Sequence, residues 1–208
     1  MADDAVAEFV AVMRRLRAEC PWKQEQTHRS LVRYLIEEAY ETVDAIDDAE
    51  TSGDYGHLAE ELGDLLLQVV FHAVIAEERG DFGLDDVARG ITAKMRRRNP
   101  HVFGGEVGEE GLTAAQVDER WQRIKAGERG GASTVDELPS ALPALLYADK
   151  ALARRERAGL TTPPPSGPGQ DIGERLLGLV AEARASGTDP EQALRDAVRR
   201  LPGRDSPA

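Results

Sequence analysis

The 208-residue chain contains a single cysteine, Cys20, which excludes an internal disulfide or a multi-cysteine zinc centre and fits a reducing compartment. Basic charge is scarce. Lys and Arg total 26 against 38 Asp and Glu, a formal net charge of -12, so no general basic surface is available to a phosphate backbone and nucleic acid is not an expected partner. Long hydrophobic runs are absent too: the most apolar stretch, Leu65 to Ala76, is interrupted by Gln68 and His72 and falls well short of the ~20 residues that cross a bilayer. No membrane partner is expected. The opening MADDAVAEFV has no basic segment of the signal-peptide kind, so the expectation is a soluble cytoplasmic protein. There is no internal repeat at periods of ~20 to 50 residues and no convincing alternating strand. With 41% hydrophobic residues, the chain can build one helical core, or a core with an appendage, but not several large domains.

What remains is helical periodicity along nearly the whole length. Val6, Phe9, Val10, Met13 and Leu16 recur at three- and four-residue steps and predict a first amphipathic helix. After the Cys20-Pro21-Trp22 break, Ser30 is the expected N-cap of a second helix, with Leu35, Ala39, Val43 and Ile46 as its core stripe. The TSGDYG segment ends it. A third helix is expected from Leu58 to Glu78, a fourth from Asp86 to Arg98, closed by Asn99-Pro100, and a fifth from Thr113, where Thr113-x-x-Gln116 has the form of a capping box. A sixth spans Ala141 to Arg157, after a glycine-rich stretch at 127–131. The expected fold is therefore an all-α bundle. Residues 161–169, TTPPPSGPG, hold four of the eleven prolines and have the composition of a stiff linker. The expected organisation is a helical domain over 1–158, a linker over 159–170 and a short helical tail over 171–208, the tail's second helix opened by Asp189 and Pro190.

The chemistry is concentrated between Tyr34 and Asp64, which contain eleven Asp or Glu and no Lys or Arg. Much of this is an ordinary solvated face. The third helix is different: Glu61, Asp64, Gln68 and His72 fall within a polar stripe of ~80° at ~100° per residue, while Leu62, Leu66, Leu67, Val69, Val70 and Phe71 cover most of the rest. Such a helix is expected to be buried. Burying Glu61 and Asp64 as bare carboxylates costs several kcal/mol each, and a bound cation offsets that cost. Glu37, Glu38 and Glu41 supply a matching cluster on the preceding helix, and a hairpin turning near Gly53 brings the two sets together. All-oxygen donors favour Mg²⁺ or Mn²⁺ over Zn²⁺. Spacing alone leaves open which glutamates of the second helix ligate. A di-iron bundle requires paired Glu-x-x-His motifs, and only Glu25 to His28 matches. His72 is expected to be a hydrogen-bonded near-core residue rather than a ligand.

The pattern Glu37-Glu38-x-x-Glu41, nineteen residues, then Glu61-x-x-Asp64 resembles the signature of the all-α nucleoside triphosphate pyrophosphohydrolases. Cys20-Pro21-Trp22 with Gln26-Thr27, LIEEAYETVDAI, ELGDLLLQVVFHA, KMRRRNPHVFG, a Trp121-to-Lys125 helix and LPALLYADK are each similar to MazG segments, in MazG order. The resemblance runs from about residue 5 to about residue 157. It implies an all-α fold of the MazG type and Mg²⁺-dependent hydrolysis of nucleoside triphosphates, with Mn²⁺ as the alternative ion. NTPs or dNTPs would be cut between the α and β phosphates to give monophosphate and pyrophosphate, a house-cleaning of the nucleotide pool. It places Glu38, Glu41, Glu61 and Asp64 on the metal and leaves Glu37 to orient or activate water. Lys94 and Arg98, with Trp121 and Lys125, resemble substrate-side residues that grip phosphate and stack on the base. Lys94 and Lys125 are two of only four lysines, against twenty-two arginines.

Many MazG proteins carry the catalytic pattern twice, whereas residues 158–208 contain no second copy. Short helices with apolar surface on several sides predict a homodimer or homotetramer. The competing readings are a narrow-specificity dNTP or phosphoribosyl-ATP pyrophosphatase and a catalytically silent nucleotide-binding or protein-interaction regulator.

Overall fold

The computed structural model describes residues 2–104, 111–128, 138–160 and 169–201. The glycine-rich stretch beyond residue 128 and the proline-rich 161–168 lie outside the described residues. Among the described residues every regular element is a helix. The chain packs as two units, 1–110 and 111–208, a division upstream of the composition change at 159–170.

The first unit contains α1 (Ala2–Glu19), α2 (Pro21–Glu25), α3 (His28–Ser52), α4 (Gly56–Glu78), α5 (Leu84–Arg98) and α6 (Pro100–Phe103). Helix α3 is capped one turn earlier than expected. Thr27, not Ser30, is the N-cap: its hydroxyl accepts from the Ser30 amide at 3.1 Å, and the Ser30 hydroxyl accepts from the Thr27 amide at 2.9 Å. The reciprocal pair satisfies two amides that the first turn leaves without helical partners. Between α1 and α3 the expected loop is partly helical, because Pro21 at the first helical position fits a helix start. Gly53 ends α3 at φ 77°, a left-handed conformation that side chains with a Cβ resist. The chain reverses there and returns as α4.

Val10 and Met13 of α1, Leu31 of α3, and Val70, Phe71, Val74 and Ile75 of α4 form the core of this unit, with Phe9, Tyr34, Leu67 and Leu84 packed against it. Arg17 ties three helices together, donating to Glu78 of α4 at 2.8 Å and to the carbonyls of Lys23 and Gln26 at the end of α2. The expectation that α4 is buried throughout holds for its second half only. Ala73 to Ala76 are buried, whereas Leu62, Leu66 and Val69 are exposed by 50%, 41% and 39%.

The α3 stripe is a clearer correction. Leu35 and Ile46 face outward, Ala39 is exposed and Val43 half-buried. The residues of α3 that are buried are Leu31, Thr42, Ala45 and Ala49. Small side chains let the two helices approach closely, and the Thr42 hydroxyl, donating to the Glu38 carbonyl at 2.7 Å, stays satisfied there.

The second unit holds α7 (Ala114–Glu128), α8 (Ala144–Arg157), α9 (Ile172–Ala185) and α10 (Pro190–Arg199). The Thr113–Gln116 capping box is present, with Gln116 Oε1 accepting from the Thr113 amide at 2.8 Å. Both tail helices pack on α8. Leu152 and Val180 are buried, and Arg184 of α9 donates to Asp149 at 2.5 Å and Glu156 at 2.7 Å on α8.

Phe71 is 1% exposed, so Phe71→Ala is expected to lower the unfolding free energy by about 3–5 kcal/mol in urea denaturation. Thr27→Ala, which removes the cap, should cost about 1 kcal/mol. A Phe71→Ala loss below that of Thr27→Ala would contradict the placement of the core.

Candidate active site

The α3–α4 hairpin brings Glu38, one turn before Thr42, opposite Glu61 and Asp64. One carboxylate oxygen from each of Glu38, Glu61 and Asp64 lies within 4.8 Å of the others. Glu38 and Glu61 are half-buried and Asp64 is exposed. The expected convergence of the two acidic motifs is therefore present, but the expected burial of Asp64 is not: water reaches it from the open side. Glu41 follows Glu38 by one turn of the same helix and shares a hydrogen bond with it. Glu37 is exposed on α3 and does not belong to the three-carboxylate group.

These charges strain one another. Burial, then the negative charge of Asp64 and Glu41, the hydrogen bond with Glu41, and the charge of Glu61 push the Glu38 carboxyl above its ordinary value of 4.5. A carboxylate that resists ionisation because other carboxylates crowd it gains from a multivalent cation, which removes the repulsion that raises the pKa. The donor set is all oxygen, suited to a hard divalent ion. By observed charge and donor chemistry, these residues fit a divalent metal.

The segment from Tyr34 to Asp64 has no Lys or Arg, but His57 Nδ1 lies 3.4 Å from Glu61 Oε1. The signal was the four-residue spacing from His57 to Glu61 on one helix face. The Glu25-to-His28 motif takes no part in a metal-competent group among the described residues. His28 instead meets His72, Nδ1 to Nδ1, at 2.8 Å, which agrees with the reading of His72 as a hydrogen-bonded near-core residue.

Lys94 and Arg98 lie one turn apart near the end of α5, both half-buried, in the unit that holds the carboxylates. Trp121 and Lys125 lie one turn apart on α7, also half-buried, in the second unit. Each pair thus has the shared-face spacing expected of it. No described helix is long and apolar enough to cross a membrane.

Residues 26–103 match the MazG nucleotide pyrophosphohydrolase domain, a span that includes both acidic motifs and α5. Over 218 residues the chain is 38% identical to the nucleoside triphosphate pyrophosphohydrolase/pyrophosphatase MazG of Thermotoga maritima, covering 93% of this chain and 81% of that protein. An uncharacterized 26.1 kDa protein of Streptomyces cacaoi is 47% identical over 194 residues, covering 92% of this chain and 77% of that one. A nucleoside triphosphate pyrophosphohydrolase of Escherichia coli K12 is 39% identical over 160 residues; the match covers 74% of this chain and 58% of that longer protein. With its acidic motifs inside the matched domain, and a relative 38% identical along 93% of this chain and 81% of its own, this protein belongs to the MazG nucleotide pyrophosphohydrolase family.

Proposed function

We propose that the protein is a divalent-metal-dependent nucleoside triphosphate pyrophosphohydrolase that converts NTPs or dNTPs to monophosphate and pyrophosphate and so cleans the nucleotide pool. The observation that carries this reading is the meeting of Glu38, Glu61 and Asp64 within 4.8 Å across two helices. Glu38, Glu41, Glu61 and Asp64 would hold the ion, for which the all-oxygen set favours Mg²⁺, with Mn²⁺ as the alternative. When bound, the ion supplies charge screening and Lewis-acid polarisation of the phosphoryl oxygens.

The remaining steps belong to the protein's own groups. Glu37, the exposed acid of the first motif, accepts a proton from the attacking water. The water oxygen bonds to the α phosphorus, and the α–β bridging oxygen departs with pyrophosphate. Lys94, Arg98 and Lys125 neutralise phosphate charge that the ion leaves uncovered, and Trp121 offers a face to the base. The family relation and the matching of both acidic motifs to its signature support these roles.

We also propose a homodimer or homotetramer. Val32, Leu35, Ile36 and Ile46 on α3 and Leu62, Leu66 and Val69 on α4 are exposed large apolar residues. They leave both helices of the hairpin with uncovered apolar surface, of the kind that soluble proteins bury against a partner.

Three outcomes are expected. Incubated with mixed NTPs and dNTPs plus Mg²⁺, the wild type should release monophosphate and pyrophosphate. Glu41→Gln and Asp64→Asn should lose more than about a hundredfold of that rate, beyond the 10–100-fold typical of supporting residues. Diphosphate with orthophosphate would contradict the bond assignment, and tight nucleotide binding without products would indicate a silent regulator.

The second outcome concerns stability. Because the folded state raises the Glu38 pKa, it holds that proton more tightly than the unfolded chain. Stability therefore falls as pH rises from 4.5 through the raised value, and the loss is complete above it. Glu38→Gln should accordingly raise Tm at pH 7 without metal, while the wild type alone gains Tm on adding Mg²⁺. A lower metal-free Tm for Glu38→Gln would contradict the account.

Third, light scattering should give a dimer or tetramer mass for the wild type and a lower mass for Ile36→Asp with Leu66→Asp. A wild-type monomer would reject the assembly.

A further inference from the structure

One polar pair on the α3–α4 seam lies outside the carboxylate cluster. His28 opens α3 and His72 lies two turns beyond Asp64 on α4. Their Nδ1 atoms are 2.8 Å apart, the rings are parallel to within 2°, and their centroids are 5.1 Å apart. The nitrogen gap plus the two ring radii fills that centroid distance, so the imidazoles meet edge to edge in nearly one plane rather than face on face. This geometry aims an N–H of one ring along the lone pair of the other. It needs one proton between the two Nδ1 atoms. With none, two lone pairs face each other; with two, two N–H groups do.

The other nitrogen of His72 fixes the tautomers. His72 Nε2 is buried with no hydrogen-bond partner, and a buried N–H without an acceptor is the rarer kind of orphan. The arrangement favours a proton on His72 Nδ1, donated to His28, with the His28 proton on Nε2. An added proton has two places to go. His72 Nε2 is buried, and His28 Nδ1 is already accepting the bond. Burial and the facing His28 ring accordingly hold the His72 imidazole below its ordinary value of 6.5.

Several charges on the surrounding helices have partners of their own. On α1, Arg14 and Arg17 pair with Glu77 and Glu78 of α4 at 2.8 Å each. On α2, Lys23 Nζ lies 5.0 Å from the centroid of the Phe71 ring. On α3, Arg33 stacks on Tyr34 at 5.1 Å. On α5, Asp85 and Asp86 pair with Arg89. The charge that acts on His72 is His28.

We propose that His28 and His72 form a one-proton clamp that fixes the register of α3 on α4, positions Glu38 against Glu61 and Asp64, and opens when both rings are protonated. Gly53 closes one end of the hairpin and the clamp closes the other, with the carboxylates between them. The positioning role rests on the metal reading above, whereas the clamp is a property of the fold.

Long-range ¹H–¹⁵N correlation on the full-length wild type tests the clamp directly. At pH 8 it should show one ring protonated on Nδ1 and the other on Nε2, with coupled titration. Two Nε2–H rings titrating independently would overturn it. Melting of wild type, His28→Gln, His72→Gln and the double variant should show each single variant about 3 °C below wild type at pH 8. The double variant should be no worse than the weaker single, and the differences should shrink as pH falls below 6.5. Additive or pH-independent losses would overturn the clamp. Mn²⁺ affinity at pH 8, measured by water-proton relaxation, should fall about tenfold in each single variant. An unchanged affinity would overturn the positioning role alone, and a wild type that binds no Mn²⁺ would overturn the metal reading while the spectra still decide the clamp.

Discussion

Carboxylate repulsion at the α3–α4 seam is the constraint on which the rest of the structure depends. Glu38, Glu61 and Asp64 place like charges within 4.8 Å of one another, with Glu41 adding a fourth along α3. Burial first, and then these charges, hold the Glu38 carboxyl above its ordinary value of 4.5, and His57 beside Glu61 offsets part of the repulsion when protonated. A hard divalent cation held by these carboxylates would relieve that repulsion and supply charge for an anionic substrate.

The scaffold is arranged to hold that strain. Close packing through Ala45, Ala49 and Thr42 sets the helices near enough for carboxylates from both to converge. The core around Phe71, Met13 and Leu31 anchors the second half of α4, and Arg17 binds the α1–α2 corner to its end. The first half of α4, which carries Glu61 and Asp64, is open to solvent on one side.

Much of this was legible in the sequence because helical periodicity is a local signal. The polar stripe Glu61, Asp64, Gln68, His72 and the turn at Gly53 follow from the spacing of residues along one helix. The face that α3 presents to α4 does not. Leu35, Ala39, Val43 and Ile46 form the more apolar stripe, yet Thr42, Ala45 and Ala49 make the contact, because closeness between helices is set by side-chain size as well as by hydrophobicity. In α4 the apolar circumference signals burial, but among the described residues Leu62 and Leu66 stay exposed. Thr27 and Ser30 are both good capping residues, and only backbone geometry distinguishes N-cap Thr27 from Ser30 at N3. The His28–His72 contact joins residues 44 positions apart, beyond what local spacing encodes.

On the proposed reading, the carboxylates of α3 and α4 hold a divalent cation against a nucleotide. Anomalous diffraction from crystals grown with Mn²⁺ and an α,β-imido nucleotide tests it most directly. The account predicts an anomalous peak between Glu38, Glu61 and Asp64, with the α phosphate beside it. A peak elsewhere, with these three side chains turned into solvent, would contradict it.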